Sequence, residues 1–309
     1  MAPARPALDL TTDFDPQTGQ VVAVAPGVAR VTAPNRGPFT FTGTNSFLVG
    51  HDRLILIDPG PRDGSHLAAL RRAIDGRPVE AIVITHTHLD HSGLARRLKA
   101  MTGAPLWFGG RHRFSRPPRW GEHDAFARAC DWKLEPDRTI GEGDRLAIDG
   151  MSLTVIATPG HCANHLAFGV SGTPYLLSGD HVMGWSSTLV APPDGSMADY
   201  LRSLEKVIVA PFSRYLPAHG GPIEEGRKFA RALLAHREER NGEIRLGVAS
   251  GANTAGRLVR RIYQDLPARL RPAARKTIEA HLDYLVDRGE LTRRPGLFGA
   301  SYRRQDKTA

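Results

Sequence analysis

Apolar positions along the first 225 residues fall into short runs broken by turn residues, with longer segments of helical spacing between them. Leu54–Ile57, 81–84, 153–156 and 175–177 are runs of Leu, Ile, Val, Ala and Tyr ended by Asp, Thr, Pro or Ser-Gly. Such runs read as buried strands. Between them, 65–74, 92–101 and 199–209 place apolar residues at helical intervals, each opened by a Ser or Asp suited to an N-cap. Strands alternating with helices predict an α/β layered domain. The Gly-Pro-rich stretches 116–121 and 191–195 read as loops, where substrate contacts tend to collect.

Beyond Pro222 the pattern changes. Residues 223–245 form one long polar helical stretch containing His236-Arg237-Glu238-Glu239-Arg240, which reads as a connector. Thr254 is placed to cap a helix running to about Gln264. A second helix is expected over 272–288, with Ile278, Leu282, Leu285 and Val286 on one face and Gly289 ending it. Residues 291–294 and 297–303 then read as a short β-ribbon. Two helices followed by a ribbon predict a winged-helix-like unit. The expected division is therefore 1–222 for the α/β domain, 223–250 for a helical connector and 251–309 for the winged-helix-like domain.

Charge sharpens this division. The 309 residues carry 41 Lys plus Arg against 32 Asp plus Glu, a net of +9. Residues 1–225 hold 22 basic and 23 acidic side chains, whereas 226–309 hold 19 and 9. The excess belongs to the last quarter of the chain, where Arg257, Arg260, Arg261, Arg293, Arg294, Arg303 and Arg304 are candidates for phosphate or nucleic acid. Two cysteines, Cys130 and Cys162, exclude a disulfide framework. Cys162 follows His161 directly, and neighbouring side chains seldom converge on one ion, so both thiols are expected to be buried. The first 16 residues contain three Asp and no apolar core, and no run of about 18 apolar residues is present. A cytoplasmic protein without a membrane segment is the expectation.

The chemistry concentrates in Thr85-His86-Thr87-His88-Leu89-Asp90-His91, directly after a predicted strand. Four imidazole or carboxylate groups within six residues, on a loop leaving a strand, can converge on cations. His161, Asp180 and His219 each follow a predicted strand in the same way. Five His and two Asp exceed the roughly four ligands of one tetrahedral zinc and suit two ions sharing a bridge.

These residues, His86, His88, Asp90, His91, His161, Asp180 and His219, together resemble the ligand signature of the metallo-β-lactamase superfamily over about residues 20–222. The resemblance implies a four-layer αββα sandwich. It implies that His86, His88 and His161 hold a first metal, that Asp90, His91 and His219 hold a second, and that Asp180 bridges them. Asp58, in Ile57-Asp58-Pro59-Gly60, matches a position expected to orient the metal loop. The secreted antibiotic-hydrolysing branch lacks the bridging Asp, and the 38 residues between Asp180 and His219 leave no room for an inserted nucleic-acid-processing cap. Pairing the catalytic domain with a C-terminal winged helix resembles the metallo-β-lactamase-like protein 2 branch. Cys162-Ala163-Asn164 departs from that pattern, since acidic residues are usual there.

The implied activity is hydrolysis at a dinuclear zinc centre, with iron or manganese as alternative metals. Two such ions lower the pKa of a shared water toward about 7, making a bridging hydroxide that attacks a carbonyl carbon or phosphorus. Asp90 and Asp180 are the expected catalytic carboxylates, and His165 and His181 are candidate proton donors to the leaving group. The substrate is expected to be a small ester or thioester, with or without a phosphate group, or single-stranded RNA. A mononuclear iron sulfur oxygenase and a DNA-binding regulator are the readings from other classes.

Overall fold

The computed structural model describes residues 8–122, 124–296 and 299–305. A seven-stranded mixed sheet takes its strands in chain order: β1 Val21–Ala25, β2 Val28–Thr32, β3 Asn45–Val49, β4 Leu54–Ile57, β5 Val79–Val83, β6 Leu106–Phe108 and β7 Arg138–Thr139. A five-stranded sheet, ordered β12-β11-β10-β9-β8, comprises β8 Arg145–Ile148, β9 Met151–Ala157, β10 Leu166–Val170, β11 Tyr175–Gly179 and β12 Arg214–Pro217. Seven helices accompany them among the described residues: α1 Gly64–Ile74, α2 Leu89–Ser92, α3 Ala95–Thr102, α4 Met197–Val209, α5 Gly226–Ala249, α6 Ala255–Ile262 and α7 Arg271–Asp287.

Strand alternation builds the layers. In β4, Leu54 and Leu56 face one side and pack with Leu67 and Leu70 of α1 and Leu98 of α3. Ile55 and Ile57 face the other side and meet Val155, Phe168 and Leu177 of the second sheet. The outer face of that second sheet, through Ile156, Ala167 and Leu176, receives Tyr200 and Leu204 of α4 and Phe229 and Leu233 of α5. Helix, sheet, sheet and helix form the expected four-layer sandwich.

A separate core holds the C-terminal unit. Ile244 and Val248 at the end of α5 pack with Leu258 of α6, Ile278, Leu282 and Leu285 of α7, and Leu291 and Tyr302 of the antiparallel ribbon β13 Leu291–Arg294 and β14 Ser301–Arg304. Thr254 caps α6, as its position predicts, and Gly289 follows α7 at φ +69°. Leu297 and Phe298, included in the expected ribbon, lie outside the described residues. No helix among those described is long and apolar enough to cross a membrane.

Several helix starts differ from expectation. Asp63, not Ser65, caps α1 by accepting from His66 N, and Ser196 caps α4 by accepting from Asp199 N. Ser92 caps nothing, because its hydroxyl donates to His88 O at the end of the short α2. The long helix begins at Gly226 because Ile223 is held in a backbone pair with Tyr215. It is also more than a connector, since its two halves complete two different cores.

Candidate metal centre

Every strand that feeds the site ends in a turn carrying a polar donor. The C-terminal ends of β4, β5, β9, β11 and β12 lead to Asp58, to the His86–His91 segment, to His161, to Asp180 and to His219. Both sheets therefore contribute to one end of the sandwich. Backbone bonds tie that end together: Leu166 N donates to Thr85 O at 2.8 Å, and Asn45 N to Ala218 O at 2.7 Å. The Asn45 amide also donates to Pro217 O and Gly220 O, fixing the turn that carries His219.

Two triads result. His86 Nε2 and His161 Nε2 each lie 3.0 Å from His88 Nδ1. Asp90 Oδ2 lies 3.4 Å from His91 Nε2 and 3.3 Å from His219 Nε2. Asp180 stands between them, its Oδ1 3.3 Å from His219 Nε2 and its Oδ2 3.6 Å from both His91 Nε2 and His161 Nε2. Donor atoms at about 2.0–2.1 Å from a tetrahedral ion are separated by about 3.3 Å, so these spacings fit metal ligation. His91 Nε2, His219 Nε2 and Asp180 Oδ1 are buried without a hydrogen-bond partner. Orphaned lone pairs that converge in this way are costly unless a cation completes them.

The opposite nitrogen of each imidazole is committed, which fixes the tautomer. His86 Nδ1–H donates to Thr85 Oγ1 (3.0 Å), whose own hydrogen goes to Asp58 Oδ2 (2.8 Å). His91 Nδ1–H donates to Asp58 Oδ2 at 2.9 Å. His161 Nδ1–H reaches Leu189 O at 2.7 Å and His219 Nδ1–H reaches Gly43 O at 3.2 Å. His88 is reversed: its Nε2–H donates to Asp194 Oδ2 at 3.0 Å, leaving Nδ1 for the triad. Asp58 thus orients the loop, also accepting from Thr85 N.

Burial and charge oppose each other throughout the cluster. Burial resists ionisation of Asp180, but His219 and His91 outweigh it and hold the carboxyl well below its ordinary range. Burial disfavours a charged His91, yet Asp90, Asp180 and Asp58 drive its pKa well above the ordinary value. His88 and His219 are raised as well, whereas burial lowers His86 and His161, and a bound cation would take the place of the protons that the carboxylates favour on His91, His88 and His219. Asp90 is the most exposed donor, at 28% of its side chain against 13% for His88 and 8% for Asp180.

The expected proton donors have other work. His165 Nδ1–H donates to Thr158 Oγ1 at 2.8 Å, and its Nε2 accepts from Asp180 N at 3.0 Å. Its close approach depends on Gly179 at φ +55°, where a Cβ would fall 2.5 Å from His165 Nε2. His181 is fully buried with its ring centroid 5.0 Å from that of Tyr200. Burial drives both pKa values down, that of His181 to about 3, which favours the neutral rings. His165 is thus placed on the Asp180 backbone and His181 against the Tyr200 ring.

Both thiols are buried. Cys162 is buried with its Sγ 3.3 Å from Asn164 Oδ1, and burial raises its pKa. Cys130 lies near His88 and Asp194, but burial and the Asp194 carboxylate keep its thiol protonated. Asn164, in place of an acidic residue, donates to Thr87 Oγ1 and Gly110 O, both at 2.9 Å. Asp194 is the functional residue missed in sequence; its signal was a Pro-Pro-Asp-Gly turn read only as a loop.

The C-terminal arginines do not act together. Arg257, Arg260 and Arg293 line a groove facing the 116–122 loop, whereas Arg261 borders a separate depression with Glu243 and Leu246. Arg294, Arg303 and Arg304 are exposed on the ribbon and line neither.

An αββα sandwich with paired His/Asp triads at the strand ends defines the metallo-β-lactamase type of metal-binding protein. A family model for the metallo-beta-lactamase superfamily matches residues 39–219, and one for the beta-lactamase associated winged helix domain matches 254–296. The chain belongs to the metallo-beta-lactamase superfamily, and it carries the associated winged helix. It is 29% identical over 284 residues to a beta-lactamase-like protein 2 homolog of Drosophila melanogaster, covering 88% of this chain and 91% of the relative. An atrochrysone carboxyl ACP thioesterase of Aspergillus fumigatus is 26% identical over 82% of this chain and 78% of its own length. A beta-lactamase domain protein from Burkholderia ambifaria superposes with a TM-score of 0.78 at 26% identity, over 96% of this chain and 97% of the other.

Proposed function

We propose that this chain is a dinuclear metal hydrolase cleaving a small ester or thioester. The observation that carries the reading is the pair of donor triads meeting at Asp180, with buried, unpartnered lone pairs turned toward each other. In this reading His86 Nε2, His88 Nδ1 and His161 Nε2 hold one ion, Asp90, His91 and His219 hold the other, and Asp180 serves both. When bound, divalent ions supply Lewis acidity and an activated water at neutral pH. Asp180 is positioned by His165, and the five imidazoles are held in the ligating tautomer by Thr85, Asp58, Asp194, Leu189 and Gly43. Asp90, the donor most open to solvent, would take a proton from the attacking water and return it to the leaving group.

Ligands of His and carboxylate without thiolate suit zinc, and they also suit iron or manganese. A thioesterase among the relatives supports carbonyl rather than phosphorus chemistry. The scattered placement of Arg261, Arg294, Arg303 and Arg304 argues against an RNA track and removes the main support for an endoribonuclease. Metal quantification on the purified protein, followed by a panel of thioesters, lactones and single-stranded RNA, tests the reading. About two equivalents of zinc and thioester or ester turnover are expected, both lost in His88→Ala and Asp90→Ala. Full turnover by a folded, metal-free variant sinks the proposal, and one equivalent of iron favours oxygen chemistry.

A further inference from the structure

Between the 116–122 loop and the winged helix lies a groove of about 830 Å³, lined by seven basic and three acidic side chains. The three carboxylates are taken by four of the cations. Arg116 pairs with Glu122 at 2.7 Å, Arg116 and Arg119 share Asp283 at 2.8 and 2.7 Å, and Arg275 and Lys276 share Glu279 at 3.0 and 3.1 Å. Arg257, Arg260 and Arg293 have no carboxylate partner among the described residues, and the Nε of Arg293 has no hydrogen-bond partner. The first turn of α6 opens onto the same space through Ala255 and Gly256, adding the positive end of its backbone dipole. At the rim stands Trp120, fully exposed.

The Arg257 guanidinium donates to Gly251 O and Asn253 Oδ1, both at 3.4 Å, and guanidiniums without a carboxylate partner beside a helix start match the oxygens of phosphate groups. An exposed indole next to them offers a stacking face for a flat heterocycle. A chain of contacts links the wall of the groove to His88. Ser115 donates through N and Oγ to Asp194 O, Asp194 accepts from His88, and Arg116 is the next residue. Its volume lies within the range of about 300–1,000 Å³ typical of small-ligand pockets.

We propose that this groove binds the phosphate-bearing nucleotide end of a substrate, with phosphates on Arg257, Arg260 and Arg293 and the base against Trp120. The placement of the cleaved bond toward His88 rests on the hydrolase reading above; the binding site itself does not. A compact nucleotide fits better than a polynucleotide, because the remaining C-terminal arginines do not continue the groove.

The test uses the full-length, metal-loaded protein and isothermal titration with coenzyme A, dephospho-coenzyme A, pantetheine and a single-stranded RNA oligomer. Coenzyme A is expected to bind, dephospho-coenzyme A to bind more weakly and pantetheine not detectably. The exposed pair Arg257→Ala/Arg260→Ala is expected to weaken coenzyme A at least tenfold with metal content and Tm unchanged. Trp120→Phe is expected to abolish the fluorescence quenching that accompanies binding. Coenzyme A failing to bind, or binding the double variant as tightly as wild type, overturns the proposal. So does RNA binding that is lost in Arg303→Ala/Arg304→Ala but kept in Arg257→Ala/Arg260→Ala. Binding without hydrolysis of any thioester leaves the groove standing and defeats only the hydrolase reading.

Discussion

Replacing Asp194 by Ala is expected to weaken one metal and spare the other. Its Oδ2 accepts from His88 Nε2–H at 3.0 Å, with the carboxylate only 3% exposed. Burial pushes the His88 pKa down, and the bond and charge of Asp194 reverse that and raise it. Without Asp194 the ring loses both its orientation and the acceptor that keeps Nδ1 free for the His86–His161 triad. Loss of such an outer partner typically costs about 10–100-fold in metal affinity, or about 1.4–2.8 kcal/mol. Asp194→Asn keeps a neutral acceptor in the same place and should lose less than Asp194→Ala. The assay is competition with a chromophoric chelator, which resolves two binding steps in the wild type. Only the step assigned to the His86, His88 and His161 triad should shift, because the Asp90, His91 and His219 triad makes no contact with Asp194. Equal weakening of both steps, or of neither, refutes the assignment of His88 and its orienting carboxylate.

Gly160 has φ +139°, and a Cβ there would lie 2.4 Å from the Tyr200 Cα. Gly160→Ala should lower stability by more than the roughly 1–3 kcal/mol typical of a strained backbone, read as the urea midpoint, and displace His161 with loss of metal. Glu122 has its pKa lowered from 4.5 to about 2, with burial opposing and Arg116 and the backbone of Arg119 prevailing. Its stabilisation is therefore complete above pH 4.5 and disappears as pH falls toward 2. Acid unfolding followed by circular dichroism should show that decline, and Glu122→Gln should flatten it. Arg237 is buried and its Nη2 donates to Thr188 O, while Thr188 Oγ1 donates to Asp180 O at 2.8 Å. Arg237→Ala should cost about 1.5–3 kcal/mol from the lost charged hydrogen bond and also weaken metal retention, measured by denaturation and metal analysis.

The convergent donors were legible because each motif packs them at the end of one apolar run. His86 to His91 need no tertiary information to be suspected, and the strand ends before His161, Asp180 and His219 repeat the same context. Long-range partners were not. Asp194 meets His88 across 106 positions, and no local pattern announces that pairing. His165 and His181 looked available beside the ligands, yet folding turned one onto the Asp180 backbone and the other against Tyr200. Among the strands, β4 and β5 stood out because both faces are apolar. In contrast, β3 is wholly buried yet begins Asn45-Ser46, whose polar side chains find Thr32 and His66. A hydrophobic scan passes over such a strand. Helix starts were misplaced by two or three residues because Asp63 and Ser65, or Ser196 and Asp199, are equally good caps by type, and only the backbone geometry chooses.

Net charge was the most misleading bulk quantity and becomes informative once its neighbours are known. The +9 of the chain suggests nucleic acid, but many of the individual cations are held in local contacts. Arg116 and Arg119 are spent holding the loop to Asp283 on α7, and Arg245 and Arg288 share Glu290. Arg240 lies over the Tyr263 ring at 4.5 Å, and Arg237 is buried against the loop behind Asp180. Much of the charge surrounding the winged helix is thus structural, fastening that unit to the catalytic sandwich. What lacks a carboxylate partner in one place, among the described residues, is the trio Arg257, Arg260 and Arg293 beside an exposed Trp120. Such a small cluster suits the compact anion proposed above, because a polyanion draws its affinity from a long row of cations that Arg261, Arg294, Arg303 and Arg304 do not extend.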